Sequence, residues 1–157
     1  MELEVELRTI GLIAAAMGLG AVIGFEREYA DKPAGIRTHM LIAGGSALLV
    51  ILGNLLVKGF AASLGDGLLR VDPMRLIEAI VAGVAFLGAG TIIRREQGST
   101  VNGLTTGATM LFTAAIGICV AVEELLLAVG VTALALLTLR VVYLLDRWIK
   151  RRKEKSI

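Results

Sequence analysis

The chain has 157 residues, 56% of them hydrophobic and 19% charged, with a formal net charge of +2 and a mean hydropathy of +0.80. A soluble domain carries about one quarter charged residues and less apolar content, so this composition excludes a water-soluble globular protein and leaves no stretch for a separate catalytic domain. One cysteine, Cys119, and one histidine, His39, exclude a disulfide framework and a thiolate metal cluster built from a single chain.

A hydrocarbon core roughly 30 Å thick needs about 20 apolar residues per helix. Five runs meet that need: Thr9–Phe25, Thr38–Val57, Met74–Ile93, Leu104–Val122 and Leu125–Leu145. They predict an all-α membrane bundle of about five transmembrane helices over residues 1–146, followed by a basic cytoplasmic tail at 147–157. The first run is short, about 17 residues, and is expected to tilt little or to thin the bilayer locally. The opening Met1-Glu-Leu-Glu-Val-Glu-Leu-Arg8 is acidic and lacks a small-residue cleavage pattern, so the first span is expected to be retained.

The loop after the first span, Glu26-Arg-Glu-Tyr-Ala-Asp-Lys-Pro-Ala-Gly-Ile-Arg37, holds three acids and three bases. Glu26 and Arg27 end one helix, and Arg37, Thr38 and His39 start the next. Unpaired charge at the lipid boundary costs a few kcal/mol, so these groups are expected to pair with one another. Thr38 is expected to cap the second helix, and Thr105 or Thr106 the fourth. His39 reads either as an interfacial hydrogen-bonding residue or as a proton relay, since imidazole changes charge near neutral pH. On the far side Asp72 is the expected N-cap of the third helix, ahead of Pro73 in its first turn. Glu78 lies about a turn inside the span, where a carboxylate is a candidate ion site unless Arg75, three residues back on the same face, neutralises it. Arg140 is close enough to the inner end of the fifth span to snorkel.

Basic residues set the orientation. Arg27, Lys32, Arg37, Arg94, Arg95 and the tail residues Arg147, Lys150, Arg151, Arg152, Lys153 and Lys155 make eleven on one side, against Arg8, Lys58, Arg70 and Arg75 on the other. The positive-inside rule then places the N-terminus outside and the C-terminus in the cytoplasm. Directly after a membrane helix, the basic tail reads as a topological anchor meeting anionic lipid, and no nucleic-acid partner is expected.

Nineteen glycines suit a bundle in which small residues let helices approach closely. Gly20/Gly24, Ala79/Gly83, Ala85/Ala89 and Gly103/Gly107 each stand four apart, on one helix face. In Phe86-Leu-Gly-Ala-Gly90 two glycines could let the backbone bend or approach a ligand. Sliding the chain by 68 residues aligns Ile23-Gly-Phe-Glu-Arg-Glu28 with Thr91-Ile-Ile-Arg-Arg-Glu96 and Gly35-Ile-Arg-Thr38 with Gly103-Leu-Thr-Thr106. That match predicts that spans one and two are repeated as spans three and four in the same direction. Both cytoplasmic loops would then sit at one end, gathering Glu26, Arg27, Arg37, Thr38 and His39 with Arg94, Thr105 and Thr106.

The segments Gly24-Phe-Glu-Arg-Glu28, Lys32-Pro-Ala-Gly-Ile-Arg-Thr-His-Met-Leu41, Asp72-Pro-Met-Arg75, Gly83-Val-Ala-Phe-Leu-Gly-Ala-Gly90, Ile92-Ile-Arg94 and Gly103-Leu-Thr-Thr-Gly-Ala-Thr109 run in an order that resembles the MgtC/SapB family of bacterial membrane proteins. The resemblance implies a polytopic inner-membrane protein associated with magnesium homeostasis, with Mg2+ as a transported or a sensed ion and no bound cofactor. Longer members add a cytoplasmic C-terminal domain, which is not expected here. Transport, regulation of a partner membrane complex and a purely structural bundle all remain open, as does a homo-oligomer. A magnesium path should show converging acids, and only Glu78 and Glu26 touch the spans. Catalysis is not expected: there is no nucleophile elbow and no phosphate loop after a strand, and Ser46 with His39, two turns apart, is a loose pairing.

Overall fold

The computed structural model describes the backbone of residues 2–64, 72–94 and 101–154, and the side chains within 3–60, 72–92 and 103–141. Five helices follow in order: α1 (Glu2–Tyr29), α2 (Ile36–Leu64), α3 (Pro73–Gly90), α4 (Leu104–Ala121) and α5 (Leu125–Glu154). Between α3 and α4 lies a short antiparallel ladder of β1 (Ile93–Arg94) and β2 (Val101–Asn102), with Ile93 opposite Asn102. Four of the helices are long and apolar enough to cross a membrane, over Leu3–Tyr29, Ile36–Phe60, Pro73–Gly90 and Leu104–Ala121, and α5 adds the apolar stretch Leu125–Val141. The expected all-α membrane bundle is the fold.

Several boundaries differ from those the sequence predicts. The first helix is not short: α1 runs for 28 residues, because Glu2, Glu4 and Glu6 sit in its opening turns, where carboxylates favour a helix N-terminus. The third ends at Gly90 rather than Ile93. There the backbone N–H and the hydroxyl of Thr91 both donate to the Gly88 carbonyl, at 3.0 and 2.7 Å. α5 continues without a break into the basic segment as far as Glu154, as a run of Lys, Arg and Glu favours. Side chains of the tail, together with those of Arg70, Arg94 and Arg95, lie outside the described residues.

Two helix ends turn on left-handed residues other than glycine. After α1, Asp31 takes φ 54°, its N–H donating to Glu28 O and that of Lys32 to Arg27 O. After α4, Glu123 takes φ 66°, with the N–H groups of Glu123 and Glu124 on Val120 O and Cys119 O. Both are Schellman closures, which satisfy the last carbonyls of the helix. Arg8, near the start of α1, forms an exposed ion pair with Glu123, tying that turn to the same end of the bundle.

α4 is the axis of the fold and packs against each of the other four helices. Small residues make this possible. A Cβ added to Gly20 would stand 2.5 Å from the His39 carbonyl oxygen, and one on Gly88 would stand 3.1 Å from Gly107 Cα. Those two contacts are related by the 68-residue offset of the sequence repeat, as are Gly24 against Gly35 and Ile36, and Ile92 against Gly103. The start of α4 at Leu104 also falls 68 residues after the start of α2 at Ile36. The α1–α2 and α3–α4 hairpins therefore cross at equivalent residues, with both connecting loops at one end. They diverge at the loop, where α1 continues to Tyr29 while α3 gives way to the β1–β2 ladder.

Not every small-residue pair is an interface. Gly20/Gly24 and Gly103/Gly107 pack closely, but Gly83 has nothing within 4 Å of an added Cβ, and Ala79, Ala85 and Ala89 are exposed. In the Phe86–Gly90 segment, Gly88 serves the crossing with α4 and Gly90 ends the helix.

Candidate functional site

The loop end of the bundle holds the buried Glu26, Arg27, His39 and Thr106. Glu26 and Arg27, consecutive on α1, are both about 95% enclosed and pair through Arg27 Nε to Glu26 Oε2 at 2.6 Å. Neighbouring positions on a helix do not normally face one another; here both side chains fold to the same side because neither charge could be enclosed alone. The pairing expected from the sequence is present, though between residues 26 and 27 rather than across the loop.

His39 is completely enclosed, and both of its ring nitrogens have hydrogen-bonding partners. Its Nδ1 stands 2.9 Å from the Gly35 carbonyl oxygen and its Nε2 stands 3.3 Å from Thr109 Oγ1 on α4. Thr109 in turn donates to the Thr106 carbonyl at 2.8 Å, and Thr113 donates to the Thr109 carbonyl at 2.7 Å. The guanidinium of Arg27 lies within electrostatic reach of the ring.

The chain Gly35 O, His39, Thr109, Thr106 O ends in an acceptor at each side. Three contacts need three hydrogens, and a neutral imidazole with one hydroxyl supplies two. In the neutral state Nδ1–H donates to Gly35 O, and the single Thr109 hydrogen serves either Thr106 O or Nε2. Only an imidazolium fills all three contacts. The arrangement can thus register a proton on His39 as a rotation of the Thr109 hydroxyl.

The other predicted residues at this end divide between two outer surfaces. Arg37 is exposed and, with Thr38, lines a groove between α2 and α3. Thr105 is exposed and lines a second groove, of about 540 Å³, between α4 and α5. Thr106 alone of the pair is buried, at 1% exposure. Neither it nor Thr38 is a cap. The first N–H of α2, on Ile36, goes to the Glu28 carboxylate at 3.0 Å, and α4 opens on Gly103, at φ 99°, with no side-chain cap bond. A residue from the previous helix took the capping role because the loop folds back tightly: a Cβ on Gly35 would meet Glu28 Oε2 at 2.5 Å. The Arg94 backbone belongs to the ladder at the same end. Arg140 on α5 lies over the Tyr29 ring at 5.3 Å, a cation–π contact that holds α5 to the end of α1.

Thr109 and Thr113 are the members of the site that sequence reasoning did not single out. The signal was the spacing of Thr106, Thr109 and Thr113, three and four apart on one helix face.

At the opposite end Asp72 caps α3 as expected, its Oδ1 accepting from Met74 N at 2.9 Å. Arg75 and Glu78 are both exposed. Among the described residues they form no ion pair with each other, and no three His, Cys, Asp or Glu side chains converge as a metal-binding group would.

Residues 13–148 match the family model described as the MgtC family. The chain belongs to the MgtC family. Among relatives of this MgtC-family chain, the Escherichia coli K12 protein named "Putative magnesium transporter YhiD" is 42% identical over 132 residues, covering 84% of this chain and 59% of that protein. Protein MgtC of Brucella abortus strain 2308 is 39% identical over 110 residues, 70% of this chain and 41% of its own length. Protein SrpB of Synechococcus elongatus is 37% identical over 150 residues, 90% and 80% of the two chains. The chain thus spans about six tenths of the YhiD protein. No solved structure matches it. Family membership and the apolar helices together make it a multi-pass membrane protein.

Proposed function

We propose that this protein serves magnesium homeostasis in the bacterial inner membrane as a regulator of a partner membrane complex, without bound cofactor or covalent catalysis, and that its own bundle does not conduct the ion. The link to magnesium comes from the name borne by the Escherichia coli relative and from membership of the MgtC family. The distribution of basic residues supports an N-terminus outside and a C-terminus in the cytoplasm.

One observation carries the non-conducting reading. Among the described residues the acid enclosed within the bundle is Glu26, and it is already paired with Arg27. Mg2+ keeps much of its water and takes carboxylate oxygens in near-octahedral array, so a carboxylate neutralised by an adjacent guanidinium is a poor ligand. The hydroxyls of Thr109 and Thr113 along α4 point to carbonyls of their own helix. They hold the packing and line no file of oxygens.

Transport between copies is the second reading, favoured by Glu78, which is exposed on α3 and unpaired with Arg75. Copies of one acid around an axis can line a cation path.

Magnesium flux into proteoliposomes holding only the purified protein separates the two. The regulator reading expects no flux above empty vesicles from folded, inserted protein. Saturable flux that is lost in Glu78→Gln would overturn it in favour of a path between copies.

A further inference from the structure

Where Leu76 lies over Gly53, α2 and α3 are in contact. From there toward the Arg37 end a groove of about 650 Å³ separates them, lined by every third or fourth residue from Thr38 to Leu49 on α2 and from Leu76 to Leu87 on α3. Its walls are apolar apart from the buried Ser46, and small residues keep it open: an added Cβ at Gly45 or Gly83 would meet nothing within 4 Å. Polar groups gather at one end, where Arg37 and Thr38 stand.

The structure assigns this groove to one acyl chain of an anionic phospholipid, with the headgroup phosphate on Arg37 and Thr38. Two independent observations fit that occupant. The first is length. At about 1.5 Å per residue, the helix from Thr38 to Leu49 rises about 16 Å, and half of a hydrocarbon core roughly 30 Å thick is about 15 Å. The groove therefore runs from the bilayer boundary to the midplane, the depth that one acyl chain of that leaflet occupies.

The second is charge. Among the described residues Arg37 has no ion-pair partner. Of the two loop acids before it, Glu28 is spent on the Ile36 N–H at 3.0 Å, and Asp31, the nearer in sequence, forms no ion pair with Arg37 among the described residues. A guanidinium with five donors and a neighbouring hydroxyl suits phosphate oxygens. The apolar walls alone would accept any lipid; Arg37 makes the choice anionic. The inference stands whether the protein transports or regulates.

The test is native mass spectrometry of the full-length protein released from nanodiscs of equimolar phosphatidylglycerol and phosphatidylcholine. The wild type is expected to keep phosphatidylglycerol about tenfold over phosphatidylcholine, a difference of about 1.4 kcal/mol. Arg37→Gln is expected to bring that ratio near one while lipid still binds, and Arg37→Lys to restore most of it. Gly83→Leu and Gly45→Leu, which fill open space, are expected to lower retention of both lipids with the elution profile unchanged. The basic tail is the same in every variant, so differences among them report the groove. An unchanged ratio in Arg37→Gln, or unchanged lipid retention in both leucine variants, would overturn the assignment. So would a wild-type dimer that Gly83→Leu dissociates without loss of lipid, which would give the groove to a second copy.

Discussion

Gly117 of α4 lies against the main-chain carbonyl of Ala43 on α2, so close that any Cβ on it would overlap that carbonyl. Gly117 and Ala43 are both buried, and their contact sets the distance at which the two most buried helices cross.

Gly117→Ala is therefore expected to destabilise the bundle by several kcal/mol, since the obstacle is backbone and cannot rotate away. Gly130→Ala on α5, where an added Cβ meets nothing within 4 Å, is the contrasting case. It should be neutral or stabilising by up to about 1 kcal/mol through helix propensity. Unfolding in mixed detergent, followed by circular dichroism, compares the two.

The Glu26–Arg27 pair should behave as a buried pair does. Glu26→Gln or Arg27→Met alone leaves one enclosed charge uncompensated and is expected to cost about 3 kcal/mol or more. The double variant should cost less than the sum of the two. A double-mutant cycle on the same unfolding assay measures the coupling, and strict additivity would show that the two charges do not depend on one another.

Between His39 and Thr109 the expected energy is smaller. Hydrogen bonds between membrane helices average about 0.6 kcal/mol in double-mutant cycles. Thr109→Val is nearly isosteric and should cost about that much, whereas His39→Ala also empties an enclosed volume and should cost about 2 kcal/mol or more. In His39→Ala the Thr109 hydroxyl keeps its bond to the Thr106 carbonyl, so Thr109→Val added there is expected to cost less than in the wild type, the difference being the His39–Thr109 coupling.

Asp31 offers a gain. Its left-handed backbone is strained for a residue with a Cβ, and glycine takes that conformation freely. Asp31→Gly should raise stability by up to about 1 kcal/mol, read as a higher melting temperature in detergent. A fall would mean that the Asp31 side chain contributes more to the turn than its backbone costs.

Much of the architecture was legible in the amino-acid sequence because its causes are local. Composition and apolar run length determine that the chain is a membrane bundle, Asp72 with Pro73 marks the start of α3, and the 68-residue repeat puts the two loops at one end. The ends of α1 and α5 were less legible: hydropathy locates the apolar part of a helix, while charged residues that favour helix carry it beyond the bilayer.

What the tertiary structure alone decided is where neighbouring side chains go. Arg37, Thr38 and His39 are consecutive, yet two line the α2–α3 groove and the third is sealed against α4. No local pattern distinguishes them, since each position turns by about 100° around the helix and any of the three could face inward. The choice was made by the close contacts Gly20–His39 and Gly117–Ala43, which set how α2 is rotated against α1 and α4. Thr109, 70 residues from His39 in the chain, became its partner through that rotation, and Arg37 was left facing a groove suited to an anion.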